Sequence, residues 1–153
     1  MITEAELNDL LPLATAWVEE QENYILENGI SLDENILKDS QLLKIEGMEK
    51  VRVLAVDEIP LPSNEILRNA VIRIGFIGSD TIGTAFRYGI YVQKAYQRDA
   101  KLIVHELTHT MQYERIGGIS AFLKQYVQEC IILGYPNGPL EQEAINVANQ
   151  IYP

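Results

Sequence analysis

Apolar residues recur at helical spacing from the start of the chain. Leu7, Leu10, Leu11, Ala14, Trp17 and Val18 share one face of a segment that runs from Thr3 to Asn28. Thr3 with Glu6 three residues on has the form of a capping box, and Asn28-Gly29 is a stop signal. Pro12 is expected to shorten or kink this helix, and Trp17 to anchor its packing. A weaker helical pattern covers Asp33 to about Lys44. The character then changes. "VRVLAVDEI" (51–59) has strand composition and is bounded by Pro60 and Pro62. Ser63 is placed to cap a helix through "NEILRNAVIRIGFI". "TAFRYGIYV" (84–92) is β-branched and aromatic and predicts a second strand, with Gly89 making it irregular in the manner of an edge strand or a bulge.

From Asp99 the pattern is helical throughout. Asp99 caps a helix that reaches Arg115 or Ile116 and ends at Gly117-Gly118. Ser120 is placed to cap "AFLKQYVQECIIL", which Gly134 ends. "YPNGP" is a turn, and Pro139 suits the first position of a last helix, "PLEQEAINVANQIY". Helices, a small mixed or antiparallel sheet, then three helices predict an α+β fold. A chain of 153 residues matches one domain, 1–153. Residues 1–80 would carry the N-terminal helices and first strand, and 81–153 the edge strand and remaining helices.

Composition narrows the function more than the fold. The net charge of −10 argues against a nucleic-acid surface and against an anionic membrane surface. No apolar run approaches the ~18 residues of a membrane span. The N-terminal "MITEAELNDLL" is acidic, unlike a signal peptide. The single cysteine, Cys130, permits no internal disulfide and suggests a reducing, cytoplasmic setting. It lies in the apolar "VQECIILG" and reads as a core thiol.

The two histidines of the chain, His105 and His109, fall together in "LIVHELTHTMQYERIGG" (102–118). A helix turns ~100° per residue, so i and i+4 lie one turn apart on one face. Both imidazoles can address one ion, with Glu106 beside them as a base. This is the physical content of HExxH as a zinc motif; two incidental imidazoles on a polar helix face are the alternative. Gln112 falls on the histidine face too, where its amide could orient a ligand or be partly exposed.

A catalytic zinc takes three protein ligands and leaves one position open. With no third histidine, a carboxylate must complete the set, from Glu114, Glu129, Glu141 and Glu143. Glu114 points away from the histidines on their own helix, and Glu129 reads as solvated. On the last helix Leu140, Ala144, Val147, Ala148 and Ile151 form the apolar stripe. Glu141 lies at its edge and Glu143 on the polar side, with Asn146 and Gln150. A carboxylate on a buried face needs a partner or a metal, which favours Glu141 and leaves Glu143 as the alternative. Small Ala144 and Ala148 would let this helix approach the histidine helix closely. Tyr88, Tyr113 and Tyr135 are candidates for stabilising an oxyanion, but each reads first as a packing tyrosine and none is assigned the role.

"HELTH" with a distal "EQEA" resembles the gluzincin branch of zinc metallopeptidases. "VHELTHTMQYERIGGISAFLKQYVQEC" with "GYPNGPLEQEA" is similar to a group of mainly bacterial zincin-like domains, over about residues 81–148. The resemblance implies a zincin-like fold and a peptide or protein substrate. It implies His105 and His109 as zinc ligands, Glu106 as general base, and Glu141 as the first glutamate of the "ExxA" element. It also implies that "TIGTAFRYGIYV" lines the cleft and pairs with extended substrate. One position departs: many gluzincins carry aspartate just after that alanine, where this chain has Ile145. A zincin-like binding module without turnover, its zinc site structural or vestigial, is the second expectation.

Overall fold

The computed structural model describes residues 2–153. Helix α1 (Glu4–Asn28) begins at Thr3, whose hydroxyl accepts from the Glu6 N–H while the Glu6 carboxylate accepts from the Thr3 N–H. Pro12 lies inside it, and the helix continues past it. Helix α2 is short (Glu34–Asp39) and a 3-10 turn at Gln41–Leu43 follows, so the segment expected as one helix is two pieces. Strand β1 is Arg52–Val56. Helix α3 spans Glu65–Arg73 and is capped by the Asn64 side chain rather than by Ser63. It ends before Phe76 and Ile77, where Gly75 takes a φ of 80°.

The run at 84–92 is two strands. Strand β2 (Gly83–Phe86) and strand β3 (Gly89–Gln93) pair antiparallel around Arg87-Tyr88, with Phe86 opposite Gly89. Strand β1 pairs parallel to β3, so the sheet is mixed, with β3 in the centre and β2 at an edge. Gly89 marks neither a bulge nor an edge. A Cβ there would lie 3.0 Å from the Ile25 Cβ and 3.3 Å from the Glu22 Cα, so the glycine lets α1 lie directly on the sheet.

Helix α4 (Ala100–Ile116) is capped by Asp99 and closed by Gly117 at φ 116°. Helix α5 (Ile119–Leu133) starts after Gly118, two residues earlier than a Ser120 cap would place it. Helix α6 (Pro139–Ile151) follows the turn. Its N-terminus is held by Glu129, whose carboxylate accepts from the Leu140 N–H at 2.9 Å. The order is α+β, with six α-helices and a three-stranded sheet among the described residues.

The pleat divides the core by its period of two. Phe86 and Tyr91 pack with Val18 and Ile25 of α1. Ala85, Ile90 and Val92 pack with Ile103, Val104 and Leu107 of α4. The sheet is thus covered by α1 and α4, and α6 lies along α4 with Ala144 and Ala148 buried. No helix among the described residues is long and apolar enough to cross a membrane.

Candidate metal centre and cleft

Helix α4 presents His105 and His109 one turn apart, with ring centroids at 5.1 Å. Glu141, in the first turn of α6, reaches between them. Its Oε1 lies 2.9 Å from the His105 Nε2, and its Oε2 3.1 Å from the His109 Nε2. One ligand atom from each of the three residues lies within 4.8 Å of the others, so this group could hold a metal ion. The donors it offers are two imidazole nitrogens and one carboxylate oxygen.

Helix α5 adds a residue that the sequence reading missed. Tyr126 donates its hydroxyl to Glu141 Oε2 at 2.9 Å, and its ring stands edge-on to His109 at 5.8 Å. Phe122, one turn earlier, stacks on Tyr126. The i, i+4 aromatic pair in "AFLKQYVQEC" was the available signal, but in sequence it is indistinguishable from ordinary core.

Charge in the cluster follows from burial and proximity. Burial alone would raise the Glu141 carboxyl, but hydrogen bonds and charge from the two histidines outweigh it and hold the group well below the carboxylate range. Burial would lower His109, and Glu141 with Glu106 reverses that, raising it to about 9. Without an ion, the proton therefore sits on the imidazole and the pair is charged. Glu106 behaves differently. It is 4% exposed, its nearest approach to His105 Nε2 is 4.0 Å, and its Oε2 has no hydrogen-bond partner. Burial raises its pKa, the histidines pull the other way, and the shift is upward.

No family model, curated protein or solved structure matches this chain. The likeness to zincins rests on the motif and on the side-chain cluster.

The cluster opens into a cleft of about 810 Å³, bounded by the edge strand β2, the 75–82 loop, Tyr135 and Ile145. The outer edge of β2 is unpaired in the sheet. Of the three tyrosines raised as oxyanion candidates, Tyr88 gives its hydroxyl to Glu114 and buried Tyr113 gives its hydroxyl to the Ala85 carbonyl. Tyr135 is the one that lines the cleft. Its hydroxyl is pushed up to about 12 by burial and by Glu141 and Glu106, so it stays a donor.

The other carboxylates have different tasks. Glu114 accepts from the N–H groups of Glu46 and Gly47 as well as from Tyr88, which pins a loop to α4. Glu129 caps α6 and is not simply solvated. Glu143 forms a two-pronged pair with Arg115 at 2.7 and 3.0 Å, and it also accepts from Gln112. Gln112 is fully buried, not partly exposed. Cys130 is half-buried against the core, and burial pushes its thiol up to about 12, which keeps it protonated.

The hairpin turn is tied to both neighbouring helices. Arg87 has a φ of 57° and donates to Glu22 of α1 from Nε at 2.8 Å and Nη2 at 2.7 Å. The Tyr88 N–H donates to Glu22 as well. Thr110, one residue past His109, donates to the Arg87 carbonyl. Through this turn α1 fixes the hairpin against the histidine helix.

Proposed function

We propose that the protein is a zinc-dependent hydrolase of peptide bonds, of gluzincin type. His105, His109 and Glu141 hold the ion, and Glu106 is the general base. The observation that carries this reading is Glu106 Oε2, a buried carboxylate oxygen with no partner next to a His-His-Glu cluster in an open cleft. A purely structural zinc site needs no such group, and an unpartnered buried carboxylate destabilises the fold that carries it.

Bound by these residues, zinc supplies a Lewis acid that polarises a carbonyl and makes a neighbouring water acidic. The chain's own groups do the rest. Glu106, its pKa raised by burial, takes a proton from water in the cleft and returns it to the leaving nitrogen. Tyr126 fixes the rotation of Glu141 by donating to Oε2. Tyr135 supplies a protonated hydroxyl to the substrate oxygen as charge develops there. The free edge of β2 offers backbone donors and acceptors along the cleft, which favours an extended peptide as substrate.

The test uses protein purified without a histidine tag. It should carry about one zinc per chain and cleave an unstructured protein, with a chelator stopping cleavage and zinc restoring it. Glu106→Gln keeps the side-chain shape but cannot take the proton. It should retain zinc and lose at least ~10²-fold in rate. Unchanged cleavage in that variant would remove Glu106 from the role. A zinc-loaded wild type that cleaves nothing across a broad peptide library would leave a non-catalytic zincin-like binding module.

A further inference from the structure

Gln112 is fully buried and makes three polar contacts. Its Nε2 lies 2.9 Å from the Leu140 carbonyl oxygen and 2.7 Å from Glu143 Oε1. Its Oε1 lies 2.8 Å from the Nδ1 of His109. The first two neighbours can only accept. Turning the amide over would set its oxygen against a carbonyl and a carboxylate, so the NH2 group must face them. The amide oxygen therefore faces the imidazole, and an oxygen can only accept. His109 Nδ1 must carry the hydrogen, which leaves Nε2 as the atom turned toward Glu141 and the ligand cluster.

We infer that Gln112 is the positioning residue for His109. It locks the ring in the Nδ1–H form with Nε2 presented to the ion, and it is itself locked by Glu143. This deepens the zinc reading and, for its bearing on activity, rests on it. Two features make the lock stiff. Both hydrogens of the amide are committed, one to the backbone of α6 and one to a carboxylate. That carboxylate is in turn gripped by both terminal nitrogens of Arg115 on α4. The chain of contacts runs from a surface ion pair, through a buried amide, to one ligand nitrogen. It also ties α4 to α6 at the turn that carries Glu141, so it sets the distance between two ligands as well as the orientation of one.

The experiment compares wild type, Gln112→Met and Glu143→Gln, each with and without zinc. Long-range nitrogen–proton spectra of the imidazoles report which ring nitrogen of His109 is protonated and how fast that proton exchanges. Competition with a chromogenic chelator reports zinc affinity. Wild type should show a slowly exchanging Nδ1–H on His109 with and without zinc. Gln112→Met keeps the volume but not the acceptor. It should expose that proton to fast exchange and weaken zinc binding by roughly 10–100-fold, the range for removing a partner of a metal-bound histidine. Glu143→Gln, at the surface, should speed the exchange less and weaken zinc less. Wild-type His109 protonated on Nε2 instead would overturn the inference, as would exchange and affinity unchanged in Gln112→Met. If Gln112→Met does not fold, unchanged exchange in Glu143→Gln overturns it and faster exchange supports it. A wild type that binds no zinc ends the metal reading alone, because in the metal-free protein, where the charged ring carries a hydrogen on both nitrogens, the slow exchange of the Nδ1–H and its loss in Gln112→Met are still read.

Discussion

Glu22 and Glu106 are buried to nearly the same degree, 1% and 4% exposed, and live in opposite surroundings. Glu22 receives two hydrogen bonds from Arg87 and one from the Tyr88 N–H. Its charge is matched by a guanidinium and its oxygens are satisfied. Glu106 has an oxygen that nothing in the protein contacts by hydrogen bond. The first carboxylate joins α1 to the hairpin. The second lies in the wall of the cleft with no donor committed to its Oε2. Burial alone says nothing about the role of an acidic residue; the count of its donors does.

The largest expected effect breaks the satisfied member. Glu22→Ala removes three hydrogen bonds and strands Arg87 in a turn that already holds a left-handed backbone. Losing three hydrogen bonds to a buried carboxylate, at about 1 kcal/mol each, should lower unfolding stability by ~3 kcal/mol, read from the urea midpoint. A loss below about 1 kcal/mol would mean that Arg87 finds water instead. Next comes the ligand cluster. Glu141→Gln should weaken zinc binding by at least ~10²-fold and Glu143→Gln by about tenfold or less, since only Glu141 lies between the histidines. Equal losses in a chelator competition would move the ligand role.

A smaller effect is expected at Glu114. Burial pushes its carboxyl up, but the Tyr88 hydroxyl and the N–H groups of Gly47 and Glu46 outweigh this and hold it low. A carboxyl whose pKa is lower folded than unfolded stabilises the fold above its ordinary value of 4.5, and that stability disappears as pH falls through the folded value. Wild type should thus exceed Glu114→Gln by about 1 kcal/mol at neutral pH, allowing for solvent screening. Melting curves of the two should converge as pH falls from 4.5 through the lowered folded value. A constant gap across that range would put the effect in packing rather than in charge. The smallest effect is at Glu106. Glu106→Gln breaks no hydrogen bond to Oε2, so the metal-free variant should unfold at the wild-type urea concentration or above it. A clear loss would show that the group has a structural partner after all.

Much of this was readable in the residues. The helices announced themselves through caps and period: Thr3 with Glu6, Asp99, Gly117 and Pro139 all act where their chemistry says they should. The four-residue spacing placed both histidines on one face, and the apolar stripe of α6 placed Glu141 inward. The hairpin was not readable. Arg87-Tyr88 holds none of the usual turn residues, and its geometry is imposed by Glu22 and Thr110 from distant parts of the chain. Gly89 signalled irregularity, whereas its cause, the close approach of α1, exists only in three dimensions. Tyr126 was hidden for the same reason, since a core aromatic and a carboxylate partner look alike until the helix across from them is known. The charged tasks of Glu114 and Glu129 depend on backbone N–H groups of other segments, which no periodicity reveals.

The division of the cluster between two helices has a kinetic consequence. Helix α4 carries His105 and His109 within one turn, so the pair exists as soon as that local helix forms, on the microsecond scale of helix growth. Glu141 reaches it only after α5 has reversed the chain and α6 has docked, which requires closing a longer loop. On the zinc reading, an ion that met the chain before α6 docked would find two imidazoles and no carboxylate, and the docking of α6 would make its release slow.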